Sequence, residues 1–464
     1  MSDENRTADI HKIPGGRIHL LGIGGSSMSG LALILQDRGY VVSGSQLGDS
    51  EYIQRLRAAG IEVLSGNRLP QGEDVDLVVY TQAIAEDHPD LLAIKKKGIP
   101  VIPRSTLLGQ LSEDYRRSIS VCGTHGKTTV TSMLGQILIE AGTDPTVHIG
   151  GVLPAMGGSV RTGKSGLFLT EACEYKRAFL TLHASDILLL NIDTDHLDYY
   201  RDMDDIESAF DSFLQKLPAD GWALGNGGDE RVVRLLQKSG RSHSTYGSSE
   251  GCDYRIKNAV EDPRGYYSFD FYFRENLQGH VSMAVPGFFN AENAAAALAA
   301  VHHLGIDMEA ACGSIGRFTG AHRRFELTGT LHGAELFHDY GHNPAEMRNA
   351  VSIARKRCRT GRLWAVVQPH TFSRVRGLFQ DYLTCTEEAD LTLVTDINGA
   401  RETDDGRVNS KMLVEGMKEH GLRAVWTPTF QDAAALLRKN VRRGDLVITM
   451  GCGNIYRLNA MLEE

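Results

Sequence analysis

The chain has 464 residues, more than one hydrophobic core usually supports, and this length predicts about three domains. Its composition, 42% hydrophobic and 23% charged with 50 glycines, is ordinary for a soluble α/β protein and disfavours a low-complexity chain. The net charge of −9 argues against a nucleic-acid partner, and no run of about 18 apolar residues predicts a membrane span.

The N-terminus and the cysteines indicate the compartment. Residues 1–16 are polar and acidic, which predicts that no secretory signal is present. The seven cysteines are scattered, odd in number and without a Cys-x-x-Cys pair, as is typical of a reducing cytoplasm.

The first predicted unit begins at Arg17 as a strand, a glycine turn and a helix, followed by a strand at Tyr40–Ser43. The turn GIGGSS (residues 22–27) is similar to a dinucleotide-binding turn, with Ser27 in place of its third glycine. The second strand ends without the Asp or Glu that binds the ribose of NAD. We therefore predict a diphosphate cradle and disfavour a nicotinamide oxidoreductase.

The second unit opens with a strand at Ile119–Cys122, a turn GTHG (residues 123–126) and a helix that starts at Lys127. This is the layout of a phosphate loop, in which helix N–H groups face phosphates, Lys127 reaches the outer phosphates and the Thr128 hydroxyl holds Mg²⁺. The glycine spacing departs from the usual pattern, so a capped helix with an exposed lysine stays an alternative. One helix face is predicted to be apolar, with Val130, Met133, Leu134, Ile137, Leu138 and Ala141.

Two apolar runs follow, each ending in acidic or histidine residues, as buried parallel strands do when their carboxyl ends line a site. Glu171 at the end of the strand Leu167–Thr170, with Glu174 nearby, is predicted to lie beside the phosphate loop and to ligate Mg²⁺. His196 beside Asp195 is a candidate ligand of a second divalent ion. For each of them an exposed helix cap stays an alternative.

The later elements change character. The run YYSFDFYF (residues 266–273) alternates at period two and predicts an antiparallel ribbon, and an alanine-rich helix follows residue 286. From residue 327, four strands alternate with helices as in a second doubly wound sheet. Arg323 and Arg324 lie at the seam between the second and third predicted units. Such an arginine pair can clamp an anion or form a surface salt bridge.

The predicted fold is therefore α/β with three domains. They are an N-terminal Rossmann-like sheet (1–115), a central P-loop ATPase-type, mainly parallel sheet with an antiparallel ribbon (116–325) and a C-terminal Rossmann-like sheet (326–464). In the third domain, the segments DYGHNP (339–344) and QPHTFSR (368–374) follow strands and are consistent with a small polar ligand.

These motifs, taken in order, resemble the Mur ligase family of bacterial cell-wall synthesis over nearly the whole chain. GIGGSSMSGLA and VSGSQ are similar to the family's UDP-binding turn and second strand, and GTHGKTT to its phosphate loop. NIDTDHLDYY, PGFFNAENAAAA, GAHRRFE, DYGHNPAEM and QPHTFSR match later blocks in the same order. Several ordered matches are far more specific than any one of them.

The resemblance implies a UDP-sugar domain, an ATPase domain and an amino-acid domain. It implies that ATP phosphorylates the carboxylate of UDP-N-acetylmuramate, and that L-alanine then attacks the acyl phosphate. The products would be UDP-N-acetylmuramoyl-L-alanine for peptidoglycan synthesis, ADP and phosphate. It also implies ATP with two Mg²⁺ ions, replaceable by Mn²⁺, in a bacterial cytoplasmic enzyme that is a monomer or homodimer.

The resemblance further implies roles for individual residues. Catalysis would involve Lys127, Glu171, His196, Arg324 and His342. The nucleotide would be bound by Gly123, Thr124, His125, Gly126, Lys127, Thr128, Thr129, Asn290, Asn293, Arg324 and Asp339. The other substrates would be bound by Gly22, Gly24, Gly25, Ser26, Ser43, His342, His370 and Arg374. Metal ions would be held by Thr128, Glu171 and His196.

The chain departs from the family pattern at some positions, and three of them lie in the UDP-sugar domain. These are Gln46, Asn67 and His88, so the detailed uridine contacts are less well supported than the ATP chemistry. Phe289, Asn454, Cys173 and Lys176 also replace common family residues.

Three alternatives stay open. The first is a murein tripeptide ligase, which Tyr340-Gly341 disfavours because those ligases usually carry Phe-Ala there. The second is a family member with another acceptor, such as glycine, L-serine or a peptide. The third is a non-catalytic UDP-sugar or ATP-binding regulator, which intact Lys127, Thr128, Glu171 and His196 disfavour.

Overall fold

The computed structural model describes residues 8–48, 50–70, 74–81, 83–196, 199–400 and 402–463. Their strands form three sheets of five, ten and six strands, with helices packed against each. The prediction of three α/β domains, with two Rossmann-like sheets on either side of a mainly parallel sheet that carries an antiparallel ribbon, is confirmed. The exact domain boundaries stay a prediction.

The first sheet is wholly parallel, in the order β3-β2-β1-β4-β5. Its strands are β1 (Arg17–Leu21), β2 (Val41–Gln46), β3 (Glu62–Ser65), β4 (Leu77–Tyr80) and β5 (Val101–Pro103). Its helices are α1 (Ser26–Asp37), α2 (Glu51–Ala58), α3 (Pro89–Lys96) and α4 (Arg104–Glu113). The strand order reverses between β1 and β4, so the glycine turn after β1 lies at a topological switch point, where ligands bind in such sheets.

The central sheet has the order β15-β14-β13-β12-β11-β10-β6-β9-β7-β8. Its strands are β6 (Arg117–Cys122), β7 (Thr146–Leu153), β8 (Gly158–Arg161), β9 (Leu167–Glu171), β10 (Asp186–Leu189), β11 (Trp222–Asn226), β12 (Ser242–Gly247), β13 (Tyr254–Glu261), β14 (Tyr266–Phe273) and β15 (Asn276–Pro286). Its helices are α5 (Lys127–Glu140), α6 (Met203–Leu214), α7 (Glu230–Ser239), α8 (Phe288–His303) and α9 (Met308–Arg317). The last three strands pair antiparallel, which confirms the predicted ribbon.

Helix α5 differs from its prediction. Every residue from Val130 to Leu138 is buried, including the polar residues Thr131 and Gln136, because α5 packs between the sheet and helices α8 and α9. Ala141, expected on the apolar face, is exposed at the C-terminal end. A helix enclosed on all sides lacks the polar face that the periodicity predicted.

The third sheet has the order β16-β17-β21-β18-β19-β20, and only the β16–β17 pair is antiparallel. Its strands are β16 (Glu326–Leu331), β17 (Ala334–Asp339), β18 (Leu363–Val367), β19 (Leu391–Val394), β20 (Ala424–Trp426) and β21 (Leu446–Met450). Its helices are α10 (Pro344–Arg357), α11 (Phe372–Gly377), α12 (Phe379–Tyr382), α13 (Ser410–Glu419), α14 (Phe430–Asn440) and α15 (Tyr456–Leu462). Short 3-10 turns lie at Ile10–Lys12, Pro154–Met156 and Tyr175–Thr181.

Two expectations from composition can be compared with these elements. Across the described ranges, no helix combines the length and apolar character that crossing a membrane requires. All seven cysteines are free thiols, and five of them are buried. The five buried thiols pack as small apolar side chains.

Candidate functional site

The phosphate loop connects β6 to α5 and is held by the chain that follows β10. Gly123 and Gly126 have φ angles of 136° and 84°, in the region that favours glycine. The side-chain oxygen of Asn191 accepts the N–H of His125 at 2.8 Å, and its backbone oxygen accepts the N–H of Thr124 at 3.2 Å. Gly126 is the N-cap of α5 and brings no side chain to it. The first N–H groups of the helix therefore remain available to an anion.

Lys127 folds back over this loop. Its Nζ donates to the backbone oxygens of Gly123 at 2.5 Å and Thr124 at 2.9 Å, and to Oε1 of Glu174 at 3.0 Å. Burial works against the charged ammonium, but the Glu174 carboxylate outweighs it and raises the pKa of Lys127. Lys127 is thus charged, and phosphate oxygens can take the place of the loop oxygens that its ammonium now contacts.

Thr128 and Glu171 meet beside the loop, because parallel pairing sets the end of β9 next to β6. Thr128 Oγ1 donates to Glu171 Oε2 at 3.1 Å, and the N–H of Gly150 donates to Oε1 at 2.7 Å. Burial raises the pKa of Glu171, as it does for a carboxyl group that no full counter-charge compensates.

A hydroxyl and a carboxylate are oxygen ligands of the kind that Mg²⁺ takes, so the pair at Thr128 and Glu171 fits that ion. In the part of the chain that is described, no three His, Cys, Asp or Glu side chains converge on a metal position. Mg²⁺ is commonly held by one or two carboxylates together with phosphate and water oxygens, so a sparse protein site agrees with its chemistry.

His196 lies on the other side of Glu174, with its Nε2 3.5 Å from Glu174 Oε1 and its ring 4.7 Å from that of Tyr175. Burial lowers the pKa of His196, but Glu174 and Asp195 outweigh it and raise the pKa. A protonated imidazole must lose its proton before it can ligate a metal. Leu197 and Asp198 of the same motif lie outside the described residues.

The third domain contacts this cluster through Arg374. Its Nε and Nη2 donate to Oδ1 of Asp195 at 3.2 and 2.9 Å, and its Nη1 donates to the backbone oxygen of His370 at 2.8 Å. Burial opposes ionisation of Asp195, yet His196 and Arg374 hold the pKa of that carboxyl far below its usual range. Burial and Arg374 lower the pKa of His370 to about 4, so this imidazole is neutral at pH 7.

A second ion pair joins the phosphate loop to the third domain. His125 Nδ1 lies 3.1 Å from Oε1 of Glu346, and its Nε2 lies 3.3 Å from Oδ2 of Asp193. Burial works against the charge, but the two carboxylates raise the pKa of His125 to about 9. Oε2 of Glu346 accepts the N–H of His342 at 3.1 Å, so one carboxylate orders both the start of α10 and the loop. Burial lowers the pKa of His342, whose ring is therefore neutral.

A cavity of about 900 Å³ lies between the central and third domains. Its lining includes His125, Gly126 and Thr129 of the loop region, Asn290 and Asn293 of α8, and Arg324, Asp339 and Glu346. Both Asp339 oxygens accept backbone N–H groups, from Phe325 at 2.8 Å and Gly341 at 2.6 Å, which orders the seam. Arg324 lies 5.1 Å from the Tyr340 ring and makes no ion pair with a described carboxylate. The cavity therefore offers amides, a free cation and a phosphate loop, which suits a nucleotide.

The glycine turn of the first domain faces the same region. Ser26 Oγ donates to the backbone oxygen of Gly150 at 2.9 Å, which sets the start of α1, with Gly25 as its N-cap, close to Glu171. Gly22 adopts a φ of 78° and donates its N–H to the backbone of Ser45 at 2.8 Å. Gly24 donates its N–H to the side-chain oxygen of Gln46 at 3.2 Å, so Gln46 belongs to the turn.

Ser43 does not contact this turn, and its role in substrate binding stays a prediction. The register of β1 and β2 sets it opposite His19, and its hydroxyl lies 2.8 Å from His19 Nδ1 inside the sheet. His88, another position of departure, caps α3 by accepting the N–H of Asp90 at 3.2 Å. Neither residue is brought to the loop.

Two residues of the site were missed by sequence reasoning. Glu346 and Asn191 hold the loop from two different domains. The spacing Asn343-x-x-Glu346 after a strand is a capping-box pattern that could have indicated Glu346 as an ordered side chain, and the structure contains that box. Asn191 directly follows an apolar strand run, which is the signal that indicated Glu171.

Comparison with known proteins covers all three domains. The chain matches the Mur ligase family catalytic domain over residues 17–116, the Mur ligase middle domain over 121–301 and the Mur ligase glutamate ligase domain over 323–453. It is 41% identical over 449 residues to the UDP-N-acetylmuramate–L-alanine ligase of Caldanaerobacter subterraneus, covering 97% of both chains. It is 38% identical to the enzyme of that name from Acetivibrio thermocellus, covering 96% of this chain and 95% of the relative.

Two solved structures share the fold over nearly the whole chain. The UDP-N-acetylmuramate–alanine ligase of Thermotoga maritima superposes with a TM-score of 0.81 at 24% identity, covering 96% of this chain and 98% of that one. The murein peptide ligase of Psychrobacter arcticus superposes with a TM-score of 0.74 at 24% identity, covering 97% and 98%. At this identity, the likeness shows the three-domain fold.

Proposed function

Because the chain belongs to the Mur ligase family, we propose that it joins L-alanine to the carboxylate of UDP-N-acetylmuramate with the hydrolysis of ATP to ADP and phosphate. The relatives at 41% and 38% identity are named for that reaction. The observation that carries the proposal is the meeting of three domains around one phosphate loop. Glu346 of the third domain contacts the loop at His125, and Ser26 of the first domain binds Gly150, whose N–H binds Glu171 beside the loop. The product would enter peptidoglycan synthesis in the bacterial cytoplasm, and so support cell shape and division.

The first step would transfer the γ-phosphoryl group to the substrate carboxylate. A carboxylate oxygen forms a bond to phosphorus while the bond from phosphorus to the ADP oxygen breaks. Lys127 and the N–H groups of α5 would hold the phosphates in line, since such transfers depend mostly on position and charge neutralisation. Asn290, Asn293 and Arg324 would bind the rest of the nucleotide in the adjoining cavity.

Thr128 and Glu171 would hold one Mg²⁺ ion, and deprotonated His196 a second one. Bound there, these ions, or Mn²⁺ in their place, would neutralise charge on the transferring phosphoryl group and the acyl oxygens. Glu174 keeps Lys127 charged and directed at the loop, whichever metal ion is bound. Asp195, held by Arg374, keeps the third domain against this cluster.

The second step would attach the amine of L-alanine to the acyl carbon. The nitrogen forms a bond to carbon, the bond from carbon to the phosphate oxygen breaks, and phosphate leaves. The attacking amine must lose a proton, and the neutral ring of His342 in the third domain would accept it. His370 and Arg374 would orient the amino acid beside it.

The test is the dependence of phosphate release on both acceptors. We expect purified protein to release phosphate from ATP only when UDP-N-acetylmuramate and L-alanine are both present. Equal ATP hydrolysis without either acceptor would overturn the proposal. No phosphate release with all three substrates present would instead favour a non-catalytic regulator that keeps the fold. Unchanged turnover in Lys127→Ala would remove Lys127 from the mechanism.

A second candidate is a ligase of the same family with another acceptor. The fold is shared by an alanine ligase and a murein peptide ligase, so fold likeness alone does not distinguish the two acceptors. Competition among L-alanine, glycine, L-serine and the cell-wall tripeptide, with product identified by mass, separates the two. A preference for the tripeptide would replace L-alanine as the acceptor.

A further inference from the structure

Arg104 is a cation at the domain boundary that the steps above leave without a role. It is the first residue of α4, directly after β5, and its Nη1 donates to Ser27 Oγ at 2.8 Å. Within the described ranges, this is its only hydrogen bond, and no carboxylate there pairs with it. A guanidinium has five N–H donors, so most of them remain available.

A polar chain holds Arg104 in place. Since Ser27 accepts from Arg104, its hydroxyl proton is directed at Nε2 of His148, 2.9 Å away, and Nδ1 of His148 lies 3.1 Å from Thr170 Oγ1. Burial and the charge of Arg104 lower the pKa of His148 to about 4, so this ring is neutral and can accept at Nε2. The chain therefore runs from the first domain into β9 of the central sheet, one residue before Glu171.

The surroundings of Arg104 point to an anion. Burial lowers the pKa of Arg104, whereas the carboxylate of Glu171 at the end of β9 acts in the opposite direction. Two other cations of the cleft do have carboxylate partners: Lys127 pairs with Glu174, and Arg374 with Asp195. An enclosed guanidinium without a partner is costly unless a ligand supplies the opposite charge.

Two unpaired arginines thus lie near Glu171, in different domains. Arg324 lines the nucleotide cavity, and its charge acts on Glu171 from the third-domain seam. Arg104 interacts electrostatically with the same carboxylate from the first domain, where it binds Ser27 of the glycine turn. In an in-line transfer, the attacking carboxylate oxygen and the leaving ADP oxygen lie on opposite sides of the transferring phosphorus atom, so the acid substrate needs a binding group of its own opposite the nucleotide.

We propose that Arg104 binds the reacting carboxylate of the acid substrate and aims it at the phosphate loop. This assignment rests on the proposed function, which supplies a substrate with both a diphosphate and a carboxylate. The glycine turn and the N-terminus of α1 already provide donors for the diphosphate, whereas the fork of Arg104 matches a carboxylate in two parallel hydrogen bonds.

The test compares two ligands that differ by that carboxylate. UDP-N-acetylmuramate carries it, and UDP-N-acetylglucosamine is the same nucleotide sugar without the lactyl group. By titration calorimetry, we expect Arg104→Gln to weaken binding of the first ligand about tenfold or more and of the second less than about twofold. Equal loss for both ligands would assign Arg104 to the diphosphate and overturn the proposal, as would no loss for either.

Two further variants keep the test decisive. Ser27→Ala removes the hydrogen bond of Arg104 but keeps its charge, so we expect a loss of less than about threefold. If Arg104→Gln does not fold, Arg104→Lys keeps the charge without the fork and should still weaken only the muramate ligand. Wild-type protein that does not distinguish the two ligands overturns the assignment, whereas protein that distinguishes them but releases no phosphate with L-alanine overturns only the proposed function.

Discussion

Replacing Glu346 with glutamine isolates the ion pair that joins the phosphate loop to the third domain. Glutamine keeps the capping box at the start of α10, because an amide oxygen can accept the same N–H groups. What the variant loses is the negative charge 3.1 Å from His125 Nδ1. Glu346→Gln therefore tests the charge and leaves the local helix start intact.

The expected size of the effect follows from the pKa of His125. The rise of the pKa of His125 from 6.5 to about 9 corresponds to roughly 3 kcal/mol, shared by Glu346 and Asp193. Asp193 is 52% exposed and Glu346 only 19%, so solvent screens Asp193 more and Glu346 contributes the larger share. We expect Glu346→Gln to lower the pKa of His125 by about one unit or more, equivalent to about 1.4 kcal/mol or more.

The dependence on pH has a definite sign. Because the folded protein raises the pKa of His125, its stabilising contribution is complete below pH 6.5 and is lost as the pH rises through about 9. In Glu346→Gln this loss should be complete at a lower pH than in the wild type. The variant and the wild type should therefore differ most in stability below about pH 6.5 and converge above pH 9.

The assay is a pH titration of protein carrying 13C-labelled histidine, with the His125 signal assigned by its absence in His125→Gln. Thermal midpoints measured at several pH values report the stability. Asp405→Asn, which removes an exposed carboxylate from an Arg376 pair, is the matched control and should leave His125 unchanged. A pKa of His125 that stays near 9 in Glu346→Gln would refute the reasoning.

Three further substitutions test other parts of the site. Lys127→Ala should reduce phosphate release more than about a hundredfold and lower the thermal midpoint, because Glu174 stays buried without its partner; adding Glu174→Gln should restore the midpoint but not turnover. Arg374→Ala should lower both kcat and the thermal midpoint, because the buried carboxylate of Asp195, which Arg374 binds at 2.9 Å, would lose its partner. Unchanged values of both would contradict a functional contact. Gly44→Ala should destabilise the first domain by about 1–3 kcal/mol in urea unfolding, because a Cβ would lie 2.8 Å from a backbone oxygen. Gly251→Ala, where a Cβ meets nothing within 4 Å, is its control and should change little.

Sequence patterns located the chemistry wherever it depends on a single strand and the turn after it. A glycine turn before Lys127 and an acidic residue at the end of β9 are both local signals, and parallel pairing brings them to one edge of the sheet. The contact between Thr128 and Glu171 at 3.1 Å follows directly from that rule. Their metal-binding role stays a prediction.

Patterns failed where neighbouring elements decide the environment. Helix α5 carried an apolar stripe, but α8 and α9 cover its other faces, so its polar residues are buried as well. Ser43 stood at the end of a predicted strand that continues to Gln46 in the structure, so its hydroxyl pairs with His19 on the neighbouring strand. Strand ends are the least certain feature of a local pattern, and here the difference changed which side chain of β2 contacts the glycine turn, since Gln46 binds Gly24.

By itself, the sequence determined the α/β class, the family and the phosphate loop, because periodicity, turn glycines and ordered motifs are all encoded within short segments. Only the tertiary structure decided which charges meet. His125 and Glu346 are 221 residues apart, and Asp195 and Arg374 are 179 apart. No local pattern specifies such pairs, since they depend on how three separate sheets dock. The same docking leaves Arg104 without a carboxylate partner among the described residues, at the cleft where an acid substrate would supply one.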